Sequence, residues 1–98
     1  MSVTKYKKME NLPDGIFATL QEYLIISNGD FDFKPNEYFK HYSKTSLMQQ
    51  IKFDLIYISE RELEIESDYL ETVEYLKNIT DDEFDTLKAE FLEAYLKN

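Results

Sequence analysis

The chain has 98 residues, 20 acids against 11 basic residues and a net charge of −9, with 15% aromatic residues and no cysteine. That length makes one domain with a real core, and the apolar content argues against wholesale disorder despite the charge. Lacking cysteine, the chain is without disulfides, thiolate metal sites and cysteine nucleophiles.

The charge is unevenly placed. Residues 54–98 hold 14 acids against 4 bases, a net of −10, whereas residues 1–53 hold 6 acids and 7 bases, a net of +1. No apolar run approaches the ~20 residues of a membrane span. The basic start, Met1 to Met9, is not followed by the apolar stretch of a secretion signal, so the expected location is the cytoplasm. Ten lysines against the single Arg61 suit an A+T-rich coding genome, such as that of a low-GC bacterium or its phage.

Residues 1–12 have no clear period and are expected to form a mobile arm to a single helical domain spanning 1–98. Lys5, Lys7 and Lys8 in this arm are placed to lie against the acidic half. Pro13 and Asp14 open a helical pattern carried by Ile16, Phe17, Leu20, Tyr23 and Leu24, with Asn28-Gly29 as its stop. Residues 30–35 read as an extended connection that turns Phe31 and Phe33 towards the core. A short helix over about 36–42 would put Tyr38, Phe39 and Tyr42 on one face. Ser46 and Gln49 then resemble a capping box.

From there, Leu47, Met48, Ile51, Leu55 and Ile58 fall within about 100° on a helical wheel, a stripe that faces a core. Phe53, Ile56 and Tyr57 sit on the opposite side, so this helix is either central or covered by a partner. A second capping box, Ser59 with Glu62, and a staple of Ile58 to Leu63 suggest a bend, since one helix over 47–78 would run ~48 Å. Tyr69, Leu70, Val73 and Leu76 continue the period to Asn78.

The clearest start signal is Thr80-Asp-Asp-Glu83, with Ile79 stapling to Phe84 and acids in the first turn suiting the helix dipole. Phe84, Leu87, Phe91, Leu92 and Tyr95 form the stripe of this last helix. The fold class predicted is therefore all-α, a small bundle of four to five short helices. One segment supports an alternative: a helix through Glu60 would turn Glu62 and Glu66 onto the face of Tyr69 and Val73, an unfavourable place for carboxylates. Residues 51–57 and 62–66 also alternate with period two, so an α+β fold with a hairpin at about 50–66 is the rival.

Chemistry is sparsely signalled, and no enzymatic activity or cofactor is expected. His41 is the only histidine, and nothing in the pattern aligns it with Ser43 and an acid as a triad. The glycines, Gly15 and Gly29, are too few for a phosphate loop. Asp30 and Asp32 hint at a calcium loop, but the sixth and twelfth positions are Pro35 and His41 in place of glycine and glutamate.

The feature with functional content is the acid band. On a helix, Glu60, Glu64, Asp68, Glu71 and Glu74 share an arc of about 120° turned away from the apolar stripe. Such a band is either a solvated face that maintains solubility or a docking surface for a basic protein. As a duplex mimic it is dilute, about one charge per 4 Å against one per ~1.7 Å in DNA, unless the acids of 81–85 lie alongside. Direct nucleic-acid binding and membrane attachment are not expected. The function expected is a non-enzymatic acidic interaction domain, such as a phage or mobile-element inhibitor, immunity or accessory factor. It would bind a basic protein through Glu60, Glu64, Asp68, Glu71, Glu74 and the Phe53, Ile56, Tyr57 patch. The alternative is an assembly subunit that forms a homodimer through that patch.

Overall fold

The computed structural model describes residues 7–27, 29, 32–39, 41–58 and 63–96; the side chains of Lys7, Leu63, Glu64 and Leu96 lie outside that set. Within it are five helices and two short strands: α1 (Lys7–Glu10), α2 (Asp14–Leu24), β1 (Ile25–Ser27), β2 (Phe33–Pro35), α3 (Lys44–Ile58), α4 (Leu63–Asn78) and α5 (Asp81–Leu96). The fold is predominantly helical, as predicted, with a small two-stranded hairpin beside the helices. The rival hairpin at 50–66 is corrected, because residues 50–58 and 63–66 are helical. The 3-4 spacing of Leu47, Ile51, Leu55 and Ile58 wins over the period-two reading because a helix seats all four against the core at once.

The sheet that does form lies elsewhere. β1 and β2 pair antiparallel, with Ile25 opposite Pro35 and Ser27 opposite Phe33. α2 stops at Leu24, before the predicted Asn28-Gly29, because its last carbonyls find donors outside the helix. The Asn36 backbone N–H donates to Leu24 O at 2.9 Å, and Asn36 Nδ2 donates to Tyr23 O at 3.1 Å. Groups orphaned at a helix end are thus satisfied by the strand that returns. Gly29 holds a φ of 131°, a region open to glycine and strained for other residues. Pro35, which has no N–H to give, sits at the end of an edge strand.

The short helix expected over 36–42 is instead a pair of turns, with Phe39 N donating to Asn36 O and Tyr42 N to Phe39 O, each at 3.0 Å. Asn36 again directs the chain, its Oδ1 accepting from Tyr38 N at 3.1 Å. The predicted clustering of Tyr38, Phe39 and Tyr42 holds all the same, their ring centroids lying 5.0 to 5.5 Å apart. The cap of α3 is Ser43 where Ser46 was expected: Ser43 Oγ accepts from Ser46 N at 3.1 Å. The expected box of Ser59 with Glu62 falls outside the described residues.

The start of α5 is as predicted. Thr80 Oγ1 accepts from Glu83 N at 3.0 Å, and Glu83 Oε1 accepts from Thr80 N at 2.8 Å. Phe84, Leu87 and Phe91 are fully buried, with Leu92 and Tyr95 packed at the edge. Two lysines tie this region to the rest by donating to chain carbonyls, Lys44 Nζ to Ile79 O and Lys88 Nζ to Tyr42 O.

Part of the predicted arm is in the fold. Residues 7–10 are helical, and Met9 and Leu12 are buried in the same core as α5. Met9 N donates to Glu90 Oε1 at 2.9 Å, and Lys8 lies 3.6 Å from Glu83, the contact of an N-terminal lysine with the acidic half that the charge distribution suggested. Residues 1–6 lie outside the described set.

The central packing joins α2, α3 and α4, while α5 rests on α1, β2 and α2. α2 and α4 approach closely because small or short residues meet there. A Cβ placed on Gly15 would come within 2.4 Å of Asp68 Oδ1. One turn further along each helix stand Thr19 and Thr72, both buried, each hydroxyl donating to the carbonyl four residues back, Gly15 O and Asp68 O, at 2.8 Å.

Candidate functional site on the outer face of α3 and α4

Helix α3 has two apolar sides, and the core takes only one. Leu47 and Ile51 are fully enclosed, whereas Phe53, Ile56 and Tyr57 are 54%, 70% and 66% exposed. The three outer residues stand at i, i+3 and i+4, so they form one row on the helix surface. The Phe53 and Tyr57 rings meet edge to face with centroids 5.6 Å apart. This is the apolar patch expected from the wheel.

α4 also carries exposed apolar residues that the pattern did not signal, though Ile65 and Leu70 stand about 140° apart around the helix and do not share a face. Leu70, read as part of the core stripe, is 54% exposed, and Ile65 is 41% exposed. The stripe of α4 is narrower than the period suggested: Tyr69, Thr72 and Leu76 are buried, and a threonine takes the place a hydrophobic residue would have announced. Among the described residues seven large apolar side chains are exposed, and five of them belong to α3 and α4, which pack directly on each other.

The acid band is thinner than expected. Glu71 and Glu74 are exposed on α4 as predicted. Asp68 is half-buried instead, its carboxylate lying over Gly15 of α2, so it leaves the outward arc. Glu60 and the side chain of Glu64 lie outside the described residues. Asp81, Asp82 and Asp85 are exposed at the start of α5. α5 itself packs chiefly on α1, β2 and α2.

Glu66 lies as feared on the inner side of α4: its Oε2 is enclosed and has no hydrogen-bond partner among the described residues. Glu62, its companion in that expectation, is outside them.

A polar network that the pattern did not signal crosses the interior beside the patch helix. The Tyr23 hydroxyl donates to Asp54 Oδ2, and Gln50 Nε2 donates to Asp54 Oδ1 at 3.0 Å. The Tyr69 hydroxyl donates to Glu22 Oε2 at 2.7 Å, and the two tyrosine rings lie 5.8 Å apart. Burial, with the Asp54 carboxylate next in effect, pushes the Tyr23 phenol well above its ordinary range. Burial and then Glu22 do the same to Tyr69. A buried tyrosine on a core stripe requires a partner for its hydroxyl, which was the available signal; which acid supplies it depends on packing between elements far apart in the chain.

Asp54 and Glu22 are engaged structurally. Ser43 is a cap, and His41 is exposed. Glu83 is held below the usual carboxylate range chiefly by the Thr80 backbone N–H, with Lys8 adding to it. An open cleft of about 530 Å³ lies between α1, α4 and α5, lined by Lys8, Asn11, Leu12, Tyr75, Thr86 and Glu90. Its carboxylate, Glu90, already accepts the Met9 N–H. Burial, then Glu83 and Glu90, raise Tyr75, which favours a neutral phenol in that wall. Among the described residues no group of three histidines or acids is arranged to hold a metal ion, and no helix is long and apolar enough to cross a membrane.

No protein-family model matches the chain, and neither the curated proteins nor the solved structures contain a match to it.

Proposed function

We propose that this chain is a non-enzymatic interaction domain that binds a basic protein, using the outer row of α3 as anchor and the exposed acids of the C-terminal half to attract the partner. The observation that carries the reading is the row itself. Phe53, Ile56 and Tyr57 contribute nothing to the core that Leu47 and Ile51 do not already supply, yet they hold three large apolar groups in water on one helix face. Contiguous exposed apolar surface of this kind is characteristic of interaction sites, and aromatic residues are enriched among the groups that dominate binding energy. The field of a chain with a net charge of −9 accelerates encounter with a cationic surface and disfavours an anionic one. A phage or mobile-element inhibitor, immunity or accessory factor is the biological setting that suits this size and charge.

The test is capture from native extract with three forms of the chain: unaltered, Phe53→Ser with Ile56→Ser, and Glu71→Lys with Glu74→Lys. All four positions are exposed, so each form is expected to fold, which circular dichroism checks. The expected result is recovery of a basic protein by the unaltered chain, with loss in the apolar variant and weaker, more salt-sensitive recovery in the charge variant. Identical recovery by all three forms would overturn the reading.

A further inference from the structure

Resting on that reading, we infer that the partner's contacting element is a cationic amphipathic helix laid across the paired outer surfaces of α3 and α4. Three observations lead there. The first is size. Phe53, Ile56, Tyr57 and Leu70 at their observed exposures present roughly 400 Å² of apolar side chain, taking the ~150–250 Å² that a large side chain can bury. That is more than scattered surface residues offer and less than the ~800 Å² per partner of a standard protein interface, so it suits a single helix better than a broad domain face.

The second is shape. α3 and α4 are consecutive, joined through residues 59–62, and packed side by side. Two adjacent helices leave a shallow furrow between their axes, ~8–10 Å apart, into which the apolar ridge of a third helix settles. Apolar groups at i, i+3 and i+4 on both sides of such a contact are the recurring pattern of helix-in-groove recognition.

The third is charge. Among the described residues, the exposed acids nearest in sequence to the apolar row are Glu71 and Glu74 on α4, beside Leu70, and the one charged side chain exposed on α3 is Lys52. A second copy of this chain would bring another net charge of −9 to the same face, and like charge across an interface opposes association. A helix with lysine or arginine flanking an apolar ridge places opposite charge against Glu71 and Glu74 while the ridge covers Ile56 and Leu70.

The experiment uses the full chain and three synthetic peptides of about 18 residues, five helical turns. One is a leucine and lysine peptide with leucine at 3-4 spacing, the second has the same composition scrambled so that no face exists, and the third replaces lysine by glutamate. Binding is followed by fluorescence anisotropy across a salt series, with sedimentation of the chain alone beside it. The faced cationic peptide is expected to bind at least tenfold tighter than either control. Ile56→Ala and Leu70→Ala are each expected to weaken it about fivefold to tenfold, and Glu71→Gln with Glu74→Gln to flatten its salt dependence. Equal binding of the scrambled peptide, or equal binding by Ile56→Ala and Leu70→Ala, would reduce the effect to bulk charge and overturn the inference. A chain that sediments as a dimer, dissociated by Ile56→Ala, would assign the face to a second copy and overturn it as well. Should the peptides fail while the capture experiment still depends on Phe53 and Ile56, the partner is cationic but not helical, and the interaction reading stands without this inference.

Discussion

Helices α3 and α5 are of nearly equal length, 15 and 16 residues, and they spend their apolar side chains differently. Every large apolar residue in the stripe of α5 is buried or packed at the core edge, and its outer surface carries Asp81, Asp82 and Asp85. Folding accounts for all of it. α3 buries one row and leaves a second in water, and folding accounts only for the first. What a helix needs to join a core is thus distinct from what it keeps beyond that need, and the surplus on α3 is what the proposed binding role rests on.

Truncating one residue from each kind of row gives the largest expected difference between the two helices. Phe91→Ala, at a position with no exposure on α5, is expected to destabilise by about 3–5 kcal/mol, the range for aromatic truncation in a core. Ile56→Ala on α3 is expected to stay within about 0.5 kcal/mol of the unaltered chain, as exposed substitutions do. Urea denaturation followed by circular dichroism measures both. A loss above about 2 kcal/mol for Ile56→Ala would mean that the outer row is structural after all.

The inner side of α3 can be tested through pH. Tyr23 and Tyr69 have phenols raised above their unfolded value of about 10. A group whose folded pKa is raised contributes stability that is complete below the unfolded pKa and is lost as pH rises through the folded one. The native state therefore holds protons that the unfolded chain has released, and stability is expected to fall from about pH 10 upward. Tyr23→Phe is expected to cost about 1–2 kcal/mol at pH 7, by leaving Asp54 short of a donor, and to make the alkaline decline shallower. Phe91→Ala on α5 should shift the curve downward without changing its alkaline slope. A Tyr23→Phe curve parallel to the unaltered one would show that the Tyr23 phenol does not contribute to the alkaline decline.

How much of this was legible depends on the reach of each interaction along the chain. The start of α5 was readable because Thr80 and Glu83 satisfy each other within three residues. The inner row of α3 and the exposure of its outer row followed from periodicity alone. What escaped involves partners distant in sequence. The end of α2 depends on Asn36, and the buried row of α4 runs through Thr72, a polar residue that an apolar pattern does not mark. The Tyr23 to Asp54 and Tyr69 to Glu22 bonds span 31 and 47 residues. Asp68 was assigned to the outward arc by its angle on a wheel, but a wheel has no knowledge that Gly15 opens a space for a carboxylate on that flank. The exposed apolar surface was thus half visible: the α3 row was periodic, and Leu70 on α4 was not marked by the pattern.

The caps of α3 and α5 differ by a smaller amount. Thr80→Ala removes the acceptor for Glu83 N and frees a reciprocal pair, while Ser43→Ala removes the acceptor for Ser46 N alone. Each loss is expected to be about 1 kcal/mol, with Thr80→Ala the greater. Equal denaturation midpoints for the two would show that the Glu83 half of the box adds nothing.

The smallest effect tests the seam that holds the patch helices to α2. Alanine at position 15 would raise helix propensity by up to about 1 kcal/mol, but its methyl would stand 2.4 Å from Asp68 Oδ1 and 2.9 Å from Asp68 Cγ, so the carboxylate must swing away. Gly15→Ala alone is therefore expected to be destabilising by about 0.5–1 kcal/mol, while in an Asp68→Ala background the same change should become neutral or stabilising. The coupling, about 1 kcal/mol in a double-mutant cycle, reports the contact directly, because two residues 53 positions apart in sequence have no other reason to sense each other. Additive effects would mean that α2 and α4 are not in register there. In that case the side-by-side placement of α3 and α4 against α2, on which the outer furrow depends, would lose its support.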